Sequence, residues 1–120
     1  MPKYKILICD DELGIRESLK LILQKDYEII EATNGKDCLE NLKANTVDLI
    51  LMDIKMPKDS GLEILKQIKS INPAIKVIMV TGYKSVETAT EAIKAGASDY
   101  IVKPFSSKDV LESIQKVLRE

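Results

Sequence analysis

Apolar residues fall along this chain in two alternating patterns. Short runs at Lys5–Cys9, Tyr27–Ala32, Leu49–Met52, Lys76–Val80 and Tyr100–Val102 suit strands buried on both faces and are too short for helices. Between them, apolar positions recur at helical spacing. Leu13, Ile15, Leu19, Ile22 and Leu23 predict a first helix to about Lys25, and Cys38, Leu39 and Leu42 the inward face of a second, which Asn34 can cap. Leu62, Leu65, Ile68 and Ile71 form a third stripe, opened by Ser60 and Glu63 at capping-box spacing and stopped by Asn72-Pro73. A fourth helix from about Ser85 is expected to bury Val86, Ala89 and Ile93 and to stop at Ala95-Gly96. The fifth starts near Ser106, with Asp109 at capping-box spacing, and presents Val110, Leu111, Ile114, Val117 and Leu118.

Five strands alternating with five helices predict an α/β fold. Right-handed crossovers make it a single doubly wound (βα)5 domain over residues 1–120, its five-stranded parallel sheet covered by helices on both faces. The natural strand order is 2-1-3-4-5.

Charge and composition narrow the function. The formal net charge is −1 with acids and bases interleaved, which argues against nucleic acid or a membrane surface as the main partner. Asp10, Asp11 and Glu12 directly follow the first apolar run, which is wrong for a signal peptide. Cys9 and Cys38 match no metal or redox spacing and read as buried free thiols, so a cytoplasmic protein is expected. There is no histidine, which removes imidazole base chemistry and most zinc sites.

The chemistry gathers where the strands end. A parallel sheet puts all its carboxyl ends on one edge, and those ends carry Asp10 and Asp11, Asp53, Thr81 and Lys103. Singly, each has an ordinary explanation: a helix-capping acid, a Thr-Gly turn, a solvated lysine. Together they make a site. Clustered carboxylates repel and raise at least one pKa unless a counter-charge intervenes, and a hard divalent cation such as Mg²⁺ supplies it through oxygen ligands and water. A cation on one side of a phosphoryl group and Lys103 on the other would neutralise its charge, with Thr81 donating its hydroxyl. A central carboxylate can then act as nucleophile and form an aspartyl phosphate, with no histidine needed on this chain.

These residues bring a family into view. The chain resembles the receiver domains of bacterial two-component response regulators through Asp10-Asp11, Asp53 followed by Met56-Pro57 and Gly61, Thr81-Gly82, Ala95-Gly96-Ala97 and Lys103-Pro104-Phe105. Glu91-Ala92-Ile93-Lys94 and Asp99-Tyr100 resemble the NtrC type most. That family is itself a standing example of the 2-1-3-4-5 order, so agreement there adds no independent support. The resemblance implies that Asp53 takes phosphate from a histidine kinase or phosphotransfer protein. It implies Mg²⁺ held by Asp10, Asp11, Asp53 and the Lys55 backbone carbonyl, with Asp10 acting through water. Thr81 and Lys103 would bind the phosphoryl group. Tyr100 would be the aromatic switch that follows Thr81 and remodels the face of helix four, strand five and helix five for an effector domain, a downstream protein or a phosphorylation-dependent dimer. Such a domain catalyses its own phosphorylation and dephosphorylation without being an enzyme of turnover.

Lys55 and Tyr83, two residues past Asp53 and Thr81, are expected to border the path of hydrolytic water, and the Lys103–Pro104 bond is expected to be cis. The alternative is an aspartate-nucleophile phosphohydrolase of the haloacid dehalogenase kind. Its signature requires a second aspartate two residues after the nucleophile, where this chain has Lys55, and a cap domain that does not fit this length. A flavodoxin-like mononucleotide binder needs a phosphate cradle where Asp11-Glu12-Leu13-Gly14 stands.

Overall fold

Each apolar run becomes a strand of one parallel sheet: β1 (Lys5–Cys9), β2 (Glu28–Ala32), β3 (Leu49–Met52), β4 (Lys76–Thr81) and β5 (Asp99–Val102). Helices α1 (Leu13–Leu23), α2 (Gly35–Ala44), α3 (Gly61–Ile71), α4 (Val86–Lys94) and α5 (Ser107–Leu118) connect and follow them. The structure, a computed structural model, describes residues 3–56, 59–82 and 86–120. The expectations placed on Pro57, Tyr83 and Ser85 lie outside the described residues. The sheet order is β2-β1-β3-β4-β5, the expected doubly wound arrangement.

Register explains why unbroken apolar runs are needed. Leu7, Ile50 and Val77 lie in one cross-strand row, and Ile8, Leu51 and Ile78 in the next. Successive residues face opposite sides of a sheet, so the two rows enter different cores. The first packs with Cys38, Leu65, Ile68 and Ala92 of α2, α3 and α4; the second with Leu19, Leu23, Val110, Ile114 and Val117 of α1 and α5. Cys9 and Cys38 are fully buried free thiols, and contact with Cys38 and burial push the Cys9 thiol far up, so it stays protonated.

The helix faces depart from expectation in four places. Leu13 is 61% exposed because it lies about 120° round α1 from Leu19. Ile71, in the last turn of α3, is also exposed. On α4, Val86 and Ile93 face solvent, while Ala92 is buried and Ala89 half-buried. The alanines let α4 lie close to the sheet and turn the bulkier side chains outward. Finally, Ser60 makes no capping hydrogen bond. It is tied into an antiparallel hairpin of two-residue strands, Lys55–Met56 against Asp59–Ser60, where the sequence predicts a loop. Glu63 pairs instead with Lys66. The caps at Asn34 and at Ser106–Asp109 form as expected, and the Lys103–Pro104 bond is cis.

One glycine fixes the loop after β3. The Gly61 N–H donates to the Ile54 carbonyl at 2.7 Å. A Cβ on Gly61 would collide with the Asp53 carbonyl oxygen and come within 2.7 Å of Ile54 Cα. Gly61→Ala should therefore cost about 3 kcal/mol, seen as a lower urea midpoint. Gly14→Ala, within α1 and with nothing within 4 Å of the added carbon, should instead gain about 0.5–1 kcal/mol. Equal midpoints for the two variants would contradict the close approach at Gly61.

Candidate functional site

The strand lengths decide what reaches the carboxyl edge. Asp10 is the first residue past β1, and its N–H donates to the Ala32 carbonyl at 3.1 Å. Asp53 is the first past β3 and donates to Cys9 at 3.0 Å; Lys103, first past β5, donates to Thr81 at 2.8 Å. Each side chain thus leaves a backbone still bonded to the neighbouring strand. Asp10, Asp53 and Thr81 are 2%, 5% and 1% exposed, so their polar groups sit in a largely dry site.

One ammonium serves two buried carboxylates. Lys103 Nζ lies 2.8 Å from Asp10 Oδ2 and 3.3 Å from Asp53 Oδ2. Asp10 Oδ1 also accepts the Glu12 N–H at 2.9 Å, while Asp53 Oδ1 accepts the Lys55 N–H at a longer 3.4 Å. Burial raises the pKa of Asp10, an effect only partly offset by Lys103 and the Glu12 N–H, and the charge of Asp53 pushes it further up. Burial alone would lower Lys103, but its bond to Asp10 and the charges of both aspartates outweigh that and raise it.

The acids extend outward. A carboxylate oxygen from each of Asp10, Asp11, Glu12 and Asp53 lies within 4.8 Å of the others, with Asp11 and Glu12 exposed. Of these four groups, Asp10 and Asp53 pair with Lys103. This all-oxygen donor set, open to water on one side, fits Mg²⁺. Beside it opens a cavity of about 300 Å³ lined by Glu12, Asp53, Lys55, Thr81, Gly82 and Lys103. Of the two buried carboxylates, Asp53 is the one that lines this space, and it is held by the longer bonds.

The structure therefore brings Asp10, Asp11, Asp53, Thr81 and Lys103 together. Lys55 joins them on the cavity wall with its side chain exposed. Tyr100 stands apart. It is half-buried on β5, packs against the core beneath α2, α3 and α4, and lines a separate groove of about 420 Å³ with α5. Beside it Asp99 accepts from Ser113 and the Tyr100 N–H and pairs with Lys116; these outweigh burial and lower its pKa. Sequence reasoning missed Glu12 as a member of the acidic group. Its place beside Asp11 was the available signal, but the extended backbone at Glu12, just before α1, decides whether that side chain turns toward Asp53.

Comparison with known proteins agrees with this geometry. A family model described as the response regulator receiver domain matches residues 6–115. The chain is 42% identical over 117 residues to the chemotaxis protein CheY of Bacillus subtilis, covering 96% of this chain and 98% of that protein. It is 39% identical over 114 residues to the transcriptional regulatory protein ZraR of Escherichia coli, covering 94% of this chain but 26% of ZraR. The chain thus spans about a quarter of the length of that relative. A CheY-like receiver domain structure from Methanospirillum hungatei superposes with a TM-score of 0.92 at 38% identity, covering 98% of this chain and 94% of that one.

The shared lysine makes a pH prediction. An acid whose folded pKa is raised above its ordinary value of 3.8 costs stability once ionised, and that cost disappears as pH falls through the folded value. Lys103→Met removes the compensating charge and should cost about 3 kcal/mol at neutral pH in chelator. Urea unfolding at about pH 7.5 and about pH 5 should show that loss shrinking in acid, as Asp10 protonates. A loss of equal size at both would contradict the assignment.

Proposed function

The chain belongs to the response regulator receiver domain family, and on that premise we propose that Asp53 is its phosphoacceptor. Receiver domains are the phosphoacceptor signalling modules of two-component systems; they generally bind Mg²⁺ and partner with histidine kinases and effector domains. The observation that carries the assignment to Asp53 is its position: a buried carboxylate, held by the longer hydrogen bonds, on the wall of the cavity that Thr81 and Lys103 share.

An Asp53 oxygen attacks the phosphorus of a phosphohistidine, forming a P–O bond as the P–N bond breaks and the imidazole leaves with the electron pair. Bound Mg²⁺ would neutralise phosphoryl charge during this transfer. Asp11 and Asp53 would hold it directly, together with the Lys55 backbone carbonyl. Asp10 would act through water, since its oxygens are held at 2.9 and 2.8 Å, whereas the bonds to Asp53 are longer, at 3.4 and 3.3 Å. Lys103 turns from the carboxylates to a phosphoryl oxygen, and Thr81 donates its hydroxyl to another.

Thr81 and Tyr100 carry the signal outward: Thr81 ends β4 and pairs in register with Val102, while Tyr100 lies two residues before it on β5. The exposed Val86 and Ile93 of α4 belong to the responding face, which meets an effector domain, a downstream protein or a second phosphorylated copy. The domain occupies residues 1–120 and catalyses its own phosphorylation and dephosphorylation in the cytoplasm. Among the described residues no helix is long and apolar enough to cross a membrane. Lys55 screens the phosphate from water; its proposed partner in this, Tyr83, lies outside the described residues. The phosphohydrolase alternative finds no support, since Asp53 follows the third strand rather than the first and Lys55 stands two residues on.

Acetyl phosphate with Mg²⁺ should add one phosphate to the parent and none to Asp53→Asn, read by intact mass. Equal uptake by both proteins would overturn the assignment.

A further inference from the structure

Each polar atom of Asp10 has a protein partner. Its N–H donates to Ala32, and its two carboxylate oxygens accept from the Glu12 N–H and Lys103. Its carbonyl accepts from Arg16 Nη1 at 2.9 Å. That last contact reaches beyond Asp10. A peptide unit is planar, so fixing the Asp10 carbonyl also fixes the N–H and Cα of Asp11. We propose that Arg16 is a positioning residue for the divalent cation: by holding the Asp10–Asp11 peptide plane, it aims the Asp11 carboxylate at the cation that Asp53 shares. The inference rests on the proposed Mg²⁺ site and deepens it.

The guanidinium is itself held in place. Arg16 lies on α1, one turn past Glu12, with its side chain 12% exposed. Its Nε donates to Glu31 Oε1 at 3.2 Å, and Lys20 holds the other Glu31 oxygen at 3.5 Å. Glu31 belongs to β2, directly before Ala32, which takes the Asp10 N–H. One planar fork therefore ties α1 and β2 to the turn that carries the cation ligands. A lysine ammonium is a point charge without this fork and cannot reproduce both fixed directions.

Simple electrostatics argues the opposite way. Arg16 is a positive charge beside a cation site, so removing it should strengthen cation binding. Positioning requires weaker binding instead. The sign of the effect separates the two.

The test is Mg²⁺ titration of the 120-residue chain by amide chemical shifts or calorimetry, with urea unfolding in chelator measured on the same samples. Arg16→Met should weaken Mg²⁺ binding about tenfold, within the range found for residues that orient metal ligands. Arg16→Lys, which keeps the charge, should fall between Arg16→Met and the parent. Glu31→Gln, which loosens the guanidinium without touching Asp10, should shift affinity in the same direction. Parental or tighter binding by Arg16→Met overturns the positioning role. Should that variant not fold, Arg16→Lys decides alone, and parental affinity there overturns it. Asp11→Ala, run in parallel, keeps the premise separate. Weaker binding in that variant upholds the cation site whatever Arg16 does, whereas unchanged binding overturns the site and the positioning role with it.

Discussion

Two carboxylates buried beside one ammonium are an unbalanced arrangement, and much of this structure exists to hold it. Removing charges from water is costly unless they are paired and hydrogen-bonded. Lys103 is within hydrogen-bond reach of both Asp10 and Asp53, yet burial still pushes Asp10 up. Asp11 and Glu12 bring more negative charge to the rim. Such a site is poised to take up positive charge as a cation and then to balance it against a phosphoryl group. The deficit is set by the protein before any ligand arrives.

The scaffold makes the arrangement affordable. Apolar strand interiors let β1, β3 and β4 sit in the middle of the sheet with both faces covered, so the edge residues emerge from rigid backbone. The residues one step past β1, β3 and β5 remain bonded to neighbouring strands. Gly61 brings α3 against the backbone of Asp53 and Ile54, and Arg16 ties α1 to the turn at Asp10. Helix α4 is held differently. Its buried face is small, with Ala92 inside and Val86 and Ile93 exposed, and the proposed function makes it part of the responding face.

The strands, the sheet order and the identity of the edge residues were legible because period and residue type carry them directly. An unbroken apolar run such as Leu49–Met52 has one sensible place, and the acid that follows it must lie at the edge. Helix faces were harder to read. On α4 the stripe of Val86, Ala89 and Ile93 predicts the wrong face: Ala92 is buried, Ala89 is half-buried, and the two bulky residues are exposed. Ser60 had the right spacing for a capping box, yet a hairpin of two-residue strands claimed its backbone. The parts of Arg16 and Glu12 depend on where a helix, or the residue just before it, places a side chain relative to a turn three-dimensionally close by, and no local pattern encodes that. The resemblance to receiver domains supplied the chemistry that spacing alone would have left as one option among several.

The central claim is that Asp53 becomes phosphorylated within a cation-dependent acidic site. The most direct test is to treat the parent chain with a small phosphodonor, trap the acyl phosphate by borohydride reduction and locate the modified residue by peptide mass spectrometry, with Mg²⁺ and with chelator. The account predicts reduction of Asp53 to homoserine in Mg²⁺ and almost none in chelator. Modification at another carboxylate, or at Asp53 to the same extent in chelator, would contradict it.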